Sequence, residues 1–226
     1  MNTNARRAVA EFIGTFALVF IGSASIMMTV HTSIAASLLG VALAHGLILA
    51  LMVSATMNIS GGHLNPAVTI GLLVTRRIGP VPAAVHVLAQ IAGAVVAALL
   101  LKGLMPDAVF NATRGGGQAV DIDITMMQAI GLEAVGTFFL MFVIYGTAVQ
   151  EGAPKLGGMA IGLTLAAVVL AIGPLTGASI NPARSFGPAV ASGVWEGQIV
   201  YWIGPILGAI VAALVWEFLL LTRTRT

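Results

Sequence analysis

The sequence has no cysteine and very few charged side chains. Without cysteine there is no disulfide, no thiolate nucleophile and no cysteine-bound metal, and the redox state of the compartment stays open. Charged residues make up 8% of the 226 residues, whereas a soluble domain carries about 25%. Because 58% of the residues are hydrophobic, we expect an integral membrane protein embedded in a lipid bilayer.

The chain also lacks the clusters that carry ligand binding or catalysis. Its ten basic residues are spread out, whereas a patch of about 4 to 8 would indicate anionic lipid or nucleic acid. Its four histidines are too scattered for a metal site. The sequence contains no phosphate-binding loop, nucleophile triad or pair of catalytic carboxylates. We therefore expect no nucleic-acid partner, no metal, no cofactor and no enzyme activity.

Six apolar stretches are long enough to cross a bilayer, which takes roughly 20 apolar residues. They are 12–30, 34–57, 81–101, 126–149, 156–175 and 199–221. The one long polar loop covers 106–123, and no stretch remains for a soluble domain. The sequence predicts an all-α, multi-pass membrane protein with a single domain over 1–226.

The tripeptide Asn-Pro-Ala occurs twice, at 65–67 and 181–183. Asparagine is a favoured N-cap and proline fits the first helical turn, so each tripeptide predicts a helix start. The apolar runs that follow reach only Thr75 and about Ala191, too short to cross a bilayer. Such segments indicate re-entrant half-helices, which membranes tolerate only where irregular backbone is buried or lines a water-filled cavity. The candidate pore residues are Asn65, Pro66, Ala67, Asn181, Pro182 and Ala183.

The two halves of the chain repeat. Three landmarks recur in one order: EFIGTF at 11 and EAVGTF at 133, the two tripeptides, and GAVVAAL at 93 and GAIVAAL at 208. Each half, 8–105 and 126–222, contains three spans, so the second enters the membrane with opposite polarity. This inverted 3+3 repeat predicts that the half-helices enter from opposite sides and that their asparagine ends meet near the midplane.

The basic residues predict the orientation. With six spans, and with Arg184 set aside as re-entrant, seven of the other nine basic residues fall on one side and two on the other, so the positive-inside rule places the larger group and both termini in the cytoplasm. The seven are Arg6, Arg7, Arg76, Arg77, Lys155, Arg223 and Arg225, and the two are Lys102 and Arg114. We expect the membrane to be the cell (inner) membrane.

The meeting point of the half-helices predicts what can pass. Two helix N-termini place roughly half a positive charge each beside the lumen and repel cations. The side-chain amides of Asn65 and Asn181 can each donate to a passing oxygen, so a water between them would turn its hydrogens outward and interrupt a proton wire. The expected function is passive conduction of a small neutral molecule, in the first place water.

Five other polar side chains are candidate site residues. Arg184, inside an apolar region, either forms a pore constriction or extends to the outer interface. Glu11 and Glu133 either accept hydrogen bonds from the backbone of the re-entrant loops or form a proton relay. His45, in mid-span, is either a packing residue or a pore residue. His63 is expected to line the inner vestibule.

Two stretches resemble the signature loops of aquaporins, the major intrinsic protein family: SGGHLNPAVT at 60–69 and NPARSFGPA at 181–189. The resemblance covers essentially the whole chain and implies the aquaporin hourglass fold of six tilted helices plus two half-helices. It also implies a homotetramer of independently conducting subunits. Family correspondence places an outer selectivity filter at His45, Val169, Ala178 and Arg184.

That filter departs from the strict water channels, which usually carry Phe where His45 stands and His where Val169 stands. The combination is similar to the tonoplast intrinsic proteins of plants, which pass water and, in several members, ammonia or urea. The resemblance therefore implies water as substrate with ammonia as a second one. A broader channel for urea or glycerol, an ion-coupled secondary transporter and a structural junction protein stay open as alternatives.

Overall fold

Helices dominate the computed structural model, which describes residues 3–31, 37–154 and 156–221, and those residues contain no strand. In chain order the helices are α1 (Thr3–His31), α2 (Leu38–Thr56), α3 (Pro66–Val74), α4 (Pro80–Leu104), α5 (Asp107–Ala112), α6 (Met126–Ile144), α7 (Met159–Thr176), α8 (Pro182–Ser192) and α9 (Val200–Val215). One π-helical turn extends α6 over Tyr145–Val149, and another extends α9 over Trp216–Leu220.

Within the described ranges six helices are long and apolar enough to cross a membrane: α1, α2, α4, α6, α7 and α9. They correspond to the six predicted spans, so the prediction of an all-α multi-pass protein is confirmed. The first helix starts at Thr3, earlier than the apolar stretch, because a helix can continue through a charged pair such as Arg6 and Arg7. The start of the second predicted span and three of the seven basic residues, Lys155, Arg223 and Arg225, lie outside the described residues.

The two short helices α3 and α8 begin at the prolines of the tripeptides. Asn65 Oδ1 accepts a hydrogen bond from Ala67 N at 2.9 Å. Asn181 Oδ1 accepts from Ala183 N at 3.0 Å and from Arg184 N at 3.3 Å. Each asparagine is thus the N-cap of a helix of 9 or 11 residues, too short to span a bilayer.

The helix packing repeats between the halves. Helix α1 packs against α4 as α6 packs against α9, while each half-helix packs into the opposite half, α3 against α9 and α8 against α4. A methyl group on Gly93 would collide with the carbonyl oxygen of Phe12, and one on Gly208 with that of Ala134. These glycines allow equivalent close helix approaches in both halves. The predicted inverted fold is confirmed, whereas the repeat bounds 8–105 and 126–222 stay a prediction.

The polar loop 106–123 is more ordered than its composition indicates. It contains α5 and a 3₁₀ turn over Arg114–Gly116, and this turn packs against α1 and α8. Asp121 N donates to Leu175 O at 2.8 Å, which ties the end of the loop to the end of α7. The loop therefore lies over the end of the bundle at which α7 ends.

Candidate functional site

The two asparagine caps meet through exchanged hydrogen bonds. Asn65 Nδ2 donates to Ile180 O at 2.8 Å, and Asn181 Nδ2 donates to Leu64 O at 2.9 Å. Because a side-chain amide carries two hydrogens, each nitrogen keeps one donor beyond this contact. The oxygen of each side chain is already used by its helix cap, so the amide hydrogens face away from the half-helices.

Glu11 lies at the centre of the first loop and is fully buried. Its Oε1 accepts from Ser60 Oγ at 2.6 Å and from His63 N at 2.9 Å. Its Oε2 accepts from Leu64 N at 2.7 Å and from Gln90 Nε2 at 2.6 Å. Four donors therefore satisfy this buried carboxylate, two of them backbone groups of the loop.

Glu133 plays the equivalent part in the second half. Its Oε1 accepts from Thr176 Oγ1 at 2.8 Å and Ser179 N at 2.9 Å, and its Oε2 accepts from Ile180 N at 2.6 Å. The residues before the two tripeptides, Leu64 (φ 51°) and Ile180 (φ 41°), have the left-handed backbone that branched side chains disfavour. The backbone N–H groups of these two residues donate to Glu11 and Glu133, respectively. Their carbonyl oxygens accept from Asn181 and Asn65, respectively.

A narrow cavity runs beside the crossing asparagines. Its polar lining residues are His45, His63, Asn65, Ser179, Asn181 and Arg184, and aliphatic side chains such as Leu165 complete the wall. At the His63 end it adjoins a second cavity, and Gly62 and His63 line both. The lumen therefore extends from Arg184 past both asparagines to His63.

Arg184, 2% exposed, has several acceptors at one end of this lumen. Its Nε and Nη2 lie 3.2 Å and 3.1 Å from His45 Nε2, and Nη2 donates to Gly116 O at 3.0 Å. With its amide oriented so that the oxygen faces the guanidinium, Gln118 accepts from Nη1 at 2.8 Å and from Nη2 at 3.1 Å. His45 Nδ1 lies 2.8 Å from Val41 O, so the hydrogen of the neutral ring sits on Nδ1 and Nε2 is free to accept from Arg184.

The four predicted filter residues are brought together only in part. His45 and Arg184 touch each other, but Val169 and Ala178 are not among the residues that line the cavity in the described part of the chain. Both are buried in the largest apolar cluster, at 4% and 3% exposure. Their assignment to the filter stays a prediction.

His63 lies at the opposite end of the lumen from Arg184. Its Nδ1 is 3.1 Å from Thr69 Oγ1 and 3.3 Å from His86 Nδ1. Among the described residues no group of three histidine, aspartate or glutamate side chains is arranged to hold a metal ion. His63 borders the lumen, and both rings border a polar cavity that Arg7 also lines.

Sequence reasoning missed the two groups of the loop that bind Arg184. Gly116 and Gln118 lie in the stretch predicted only to be a polar loop. They are 68 and 66 residues before Arg184 in the chain. The available signal was the run Gly115-Gly116-Gly117, because Gly115 (φ 66°) and Gly116 (φ 69°) adopt the left-handed backbone that glycine favours.

Six membrane-spanning helices and two inverted half-helices around a narrow polar lumen define a channel-type integral membrane protein. Residues 1–216 match the sequence profile described as Major intrinsic protein, and the chain belongs to that family. The predicted resemblance to aquaporins is thereby confirmed.

Individual relatives agree with this assignment. The chain is 42% identical to aquaporin TIP4-4 of Zea mays over 228 residues, covering 96% of this chain and 88% of the relative. It is 44% identical to aquaporin TIP1-2 of Zea mays over 223 residues, covering 95% and 86%. The X-ray structure of the aquaglyceroporin from Plasmodium falciparum superposes with a TM-score of 0.84 over 96% of both chains. At 23% identity, that likeness shows the fold alone.

Proposed function

We propose that this passive channel conducts water in single file, excludes protons and other ions, and accepts ammonia as a second substrate. The observation that best supports water conduction is the pair of crossed asparagines, each of which keeps one amide hydrogen available to the lumen. A water that accepts from both would direct its own hydrogens toward the two ends of the file, which interrupts proton transfer. The two helix N-termini at the same point oppose cations.

Ammonia as a second substrate rests on the Arg184 end of the lumen. His45 places an imidazole there, where the strict water channels usually carry Phe, and its Nε2 accepts from Arg184. A polar ring beside the guanidinium gives a small polar solute more hydrogen-bonding partners than a phenyl ring would. Family resemblance assigns the small side chains of Val169 and Ala178 to this end as well, but neither lines the cavity, so the wider opening they imply stays a prediction.

The buried carboxylates argue against the ion-coupled alternative. A proton relay needs a carboxylate that can exchange protons with its neighbours, whereas both oxygens of Glu11 and of Glu133 accept from fixed loop donors. These contacts support a role in holding the loops.

The proposal also covers how the subunits assemble and how the chain is oriented in the membrane. Large apolar side chains are exposed along the spans, for example Leu88 at 72% and Leu163 at 54%, and need lipid or neighbouring subunits to cover them. We propose a homotetramer with both termini in the cytoplasm, and the cell membrane stays a prediction. Cross-linking in native membranes, accessibility labelling of the termini and membrane fractionation test these three points.

The experiment for the substrate is a stopped-flow series on one proteoliposome preparation. Shrinkage in an impermeant osmolyte reports water, swelling reports urea and glycerol, and an internal pH dye reports ammonia. We expect water and ammonia to cross much faster than in protein-free liposomes, with urea and glycerol near the lipid background. Water permeability equal to the background would contradict the proposal, while rapid glycerol entry would favour the broader channel.

A further inference from the structure

At the Arg184 end of the lumen, helix α1 packs behind His45 at Gly22, a residue without a side chain. Gly22 is buried, and the ring of His45 lies directly against it. A methyl group on Gly22 would lie 2.5 Å from His45 Nε2, 2.7 Å from Cδ2 and 3.0 Å from Cε1. Real Cβ atoms do not approach other atoms so closely, so the ring can occupy this place only because residue 22 is glycine.

The ring cannot move away without breaking a contact. Its Nδ1 donates to Val41 O at 2.8 Å, and its Nε2 accepts from Arg184 at 3.1 to 3.2 Å. The atom that a methyl group on Gly22 would approach most closely is this same Nε2. Any relief of the clash therefore changes the His45–Arg184 contact.

Ser23, the next residue of α1, fixes the position of Gly116, whose carbonyl oxygen is a second acceptor for Arg184. Gly116 packs so closely on Ser23 that a methyl group on Gly116 would lie 2.6 Å from Ser23 Cα. The carbonyl oxygen of Gly116 accepts from Arg184 Nη2 at 3.0 Å. Two consecutive residues of α1 thus support two of the groups that orient Arg184, although neither contacts the guanidinium itself by a hydrogen bond that the structure shows.

We propose that Gly22 is a positioning residue of the selectivity filter: its missing side chain seats His45 against Arg184 and thereby sets the ratio of ammonia to water permeability. This inference rests on the proposed function, in which His45 and Arg184 select the solute. It adds a determinant on α1, the helix that supplies none of the four predicted filter residues.

The test compares Gly22→Ala, His45→Ala and the double variant in proteoliposomes, with Gly131→Ala as control. The readout is the ratio of ammonia to water permeability, which does not depend on the amount of protein inserted. A methyl group on Gly131 meets nothing within 4 Å, so that variant reports only the exchange of glycine for alanine in a helix. We expect Gly22→Ala to change the ratio by about tenfold, the scale of one charge-assisted hydrogen bond, and Gly131→Ala to leave it unchanged. The double variant should equal His45→Ala, because without the imidazole there is nothing for the methyl group to displace.

The outcomes separate this inference from the proposed function. If His45→Ala changes the ratio and Gly22→Ala does not, the positioning role is wrong and the filter role of His45 stands. If His45→Ala has no effect on the ratio, both fail. Effects that add in the double variant would assign Gly22 to helix packing alone. If Gly22→Ala does not fold, recovery of a folded channel in the double variant supports the inference, and failure of both to fold overturns it.

Discussion

Asn65 and Asn181 each donate a side-chain hydrogen to the carbonyl oxygen of the residue that precedes the other, at 2.8 Å to Ile180 O and 2.9 Å to Leu64 O. The two half-helices are therefore joined to each other at their N-termini by the side chains that cap them. Amide donors, helix caps and the positive ends of the helix dipoles therefore meet at one level of the lumen.

Asn181→Asp should open the channel to cations. The aspartate loses the hydrogen that binds Leu64 O and adds a negative charge where the two helix N-termini are positive. We expect the proton or sodium leak to rise by about tenfold or more, on the scale of a charge-assisted contact. Fluorescent flux assays on proteoliposomes measure the leak, and Asn58→Asp, on an exposed residue, is the charge-matched control. A leak no larger than that of the control would remove this asparagine from cation exclusion.

Glu133→Gln should lower the thermal stability of the fold and have little effect on the lumen. The carboxylate binds one hydroxyl and two backbone N–H groups, and its neutral replacement lowers the strength of these contacts. Loss of one charge-assisted hydrogen bond costs about 1.5 to 3 kcal/mol. Thermal unfolding in detergent should show a lower apparent Tm than in the wild type. Glu196→Gln, at a side chain that is 84% exposed, is the control and should leave Tm unchanged. Equal Tm values for both variants would show that the carboxylate is not needed to hold the second loop.

Arg184→Val should admit larger and charged solutes. The substitution removes the guanidinium that binds His45 and Gly116 and leaves the lumen wider and without its fixed positive charge. We expect glycerol and proton permeability to increase by about tenfold, whereas water permeability changes little. Solute swelling and proton flux are measured on the same vesicles. Unchanged selectivity would exclude Arg184 from the filter.

His45→Phe should narrow the Arg184 end and reduce ammonia permeability more than water permeability. The phenyl ring is larger and cannot accept from Arg184, so both the width and the polarity of the constriction fall. Paired measurement of the two permeabilities gives the ratio directly. An equal loss of both would show that His45 does not discriminate between them.

Gln118→Ala should loosen Arg184 without removing its charge. Arg184 keeps His45 and Gly116 as acceptors but loses the amide oxygen at 2.8 Å. We expect glycerol leakage intermediate between the wild type and Arg184→Val. Asn111→Ala, at an exposed position of α5, is the matched loop control. Identical leakage in both loop variants would exclude Gln118 from support of the filter.

The spans and half-helices could be predicted because local chemistry determines them. Hydrophobic run length identifies a crossing helix, and the caps Asn65 and Asn181 mark helix starts regardless of tertiary contacts. Because each half contains an odd number of spans, the second half must cross the membrane in the opposite direction to the first. The burial of Glu11 and Glu133 could be inferred in the same way, because a carboxylate within a span needs donors and the loops have unpaired N–H groups.

The contacts around Arg184 could not be predicted from the residues because they join distant segments. Nothing in the local sequence of Gln118 indicates that its amide reaches a guanidinium 66 residues further along, and Gly22 is indistinguishable from any other packing glycine until His45 is seen against it. The π-helical turns at Tyr145–Val149 and Trp216–Leu220 likewise have no sequence marker. Such features depend on how the helices pack.

If the crossed asparagines pass water and stop protons, water flux and proton flux should be independent of each other, and both can be measured in one vesicle preparation. Proteoliposomes carrying an internal pH dye are given an osmotic gradient and then a proton gradient, with a potassium ionophore to dissipate the membrane potential. We expect water flux far above that of protein-free liposomes together with proton flux equal to theirs. Proton flux that rises with water flux in proportion to the inserted protein would contradict this expectation.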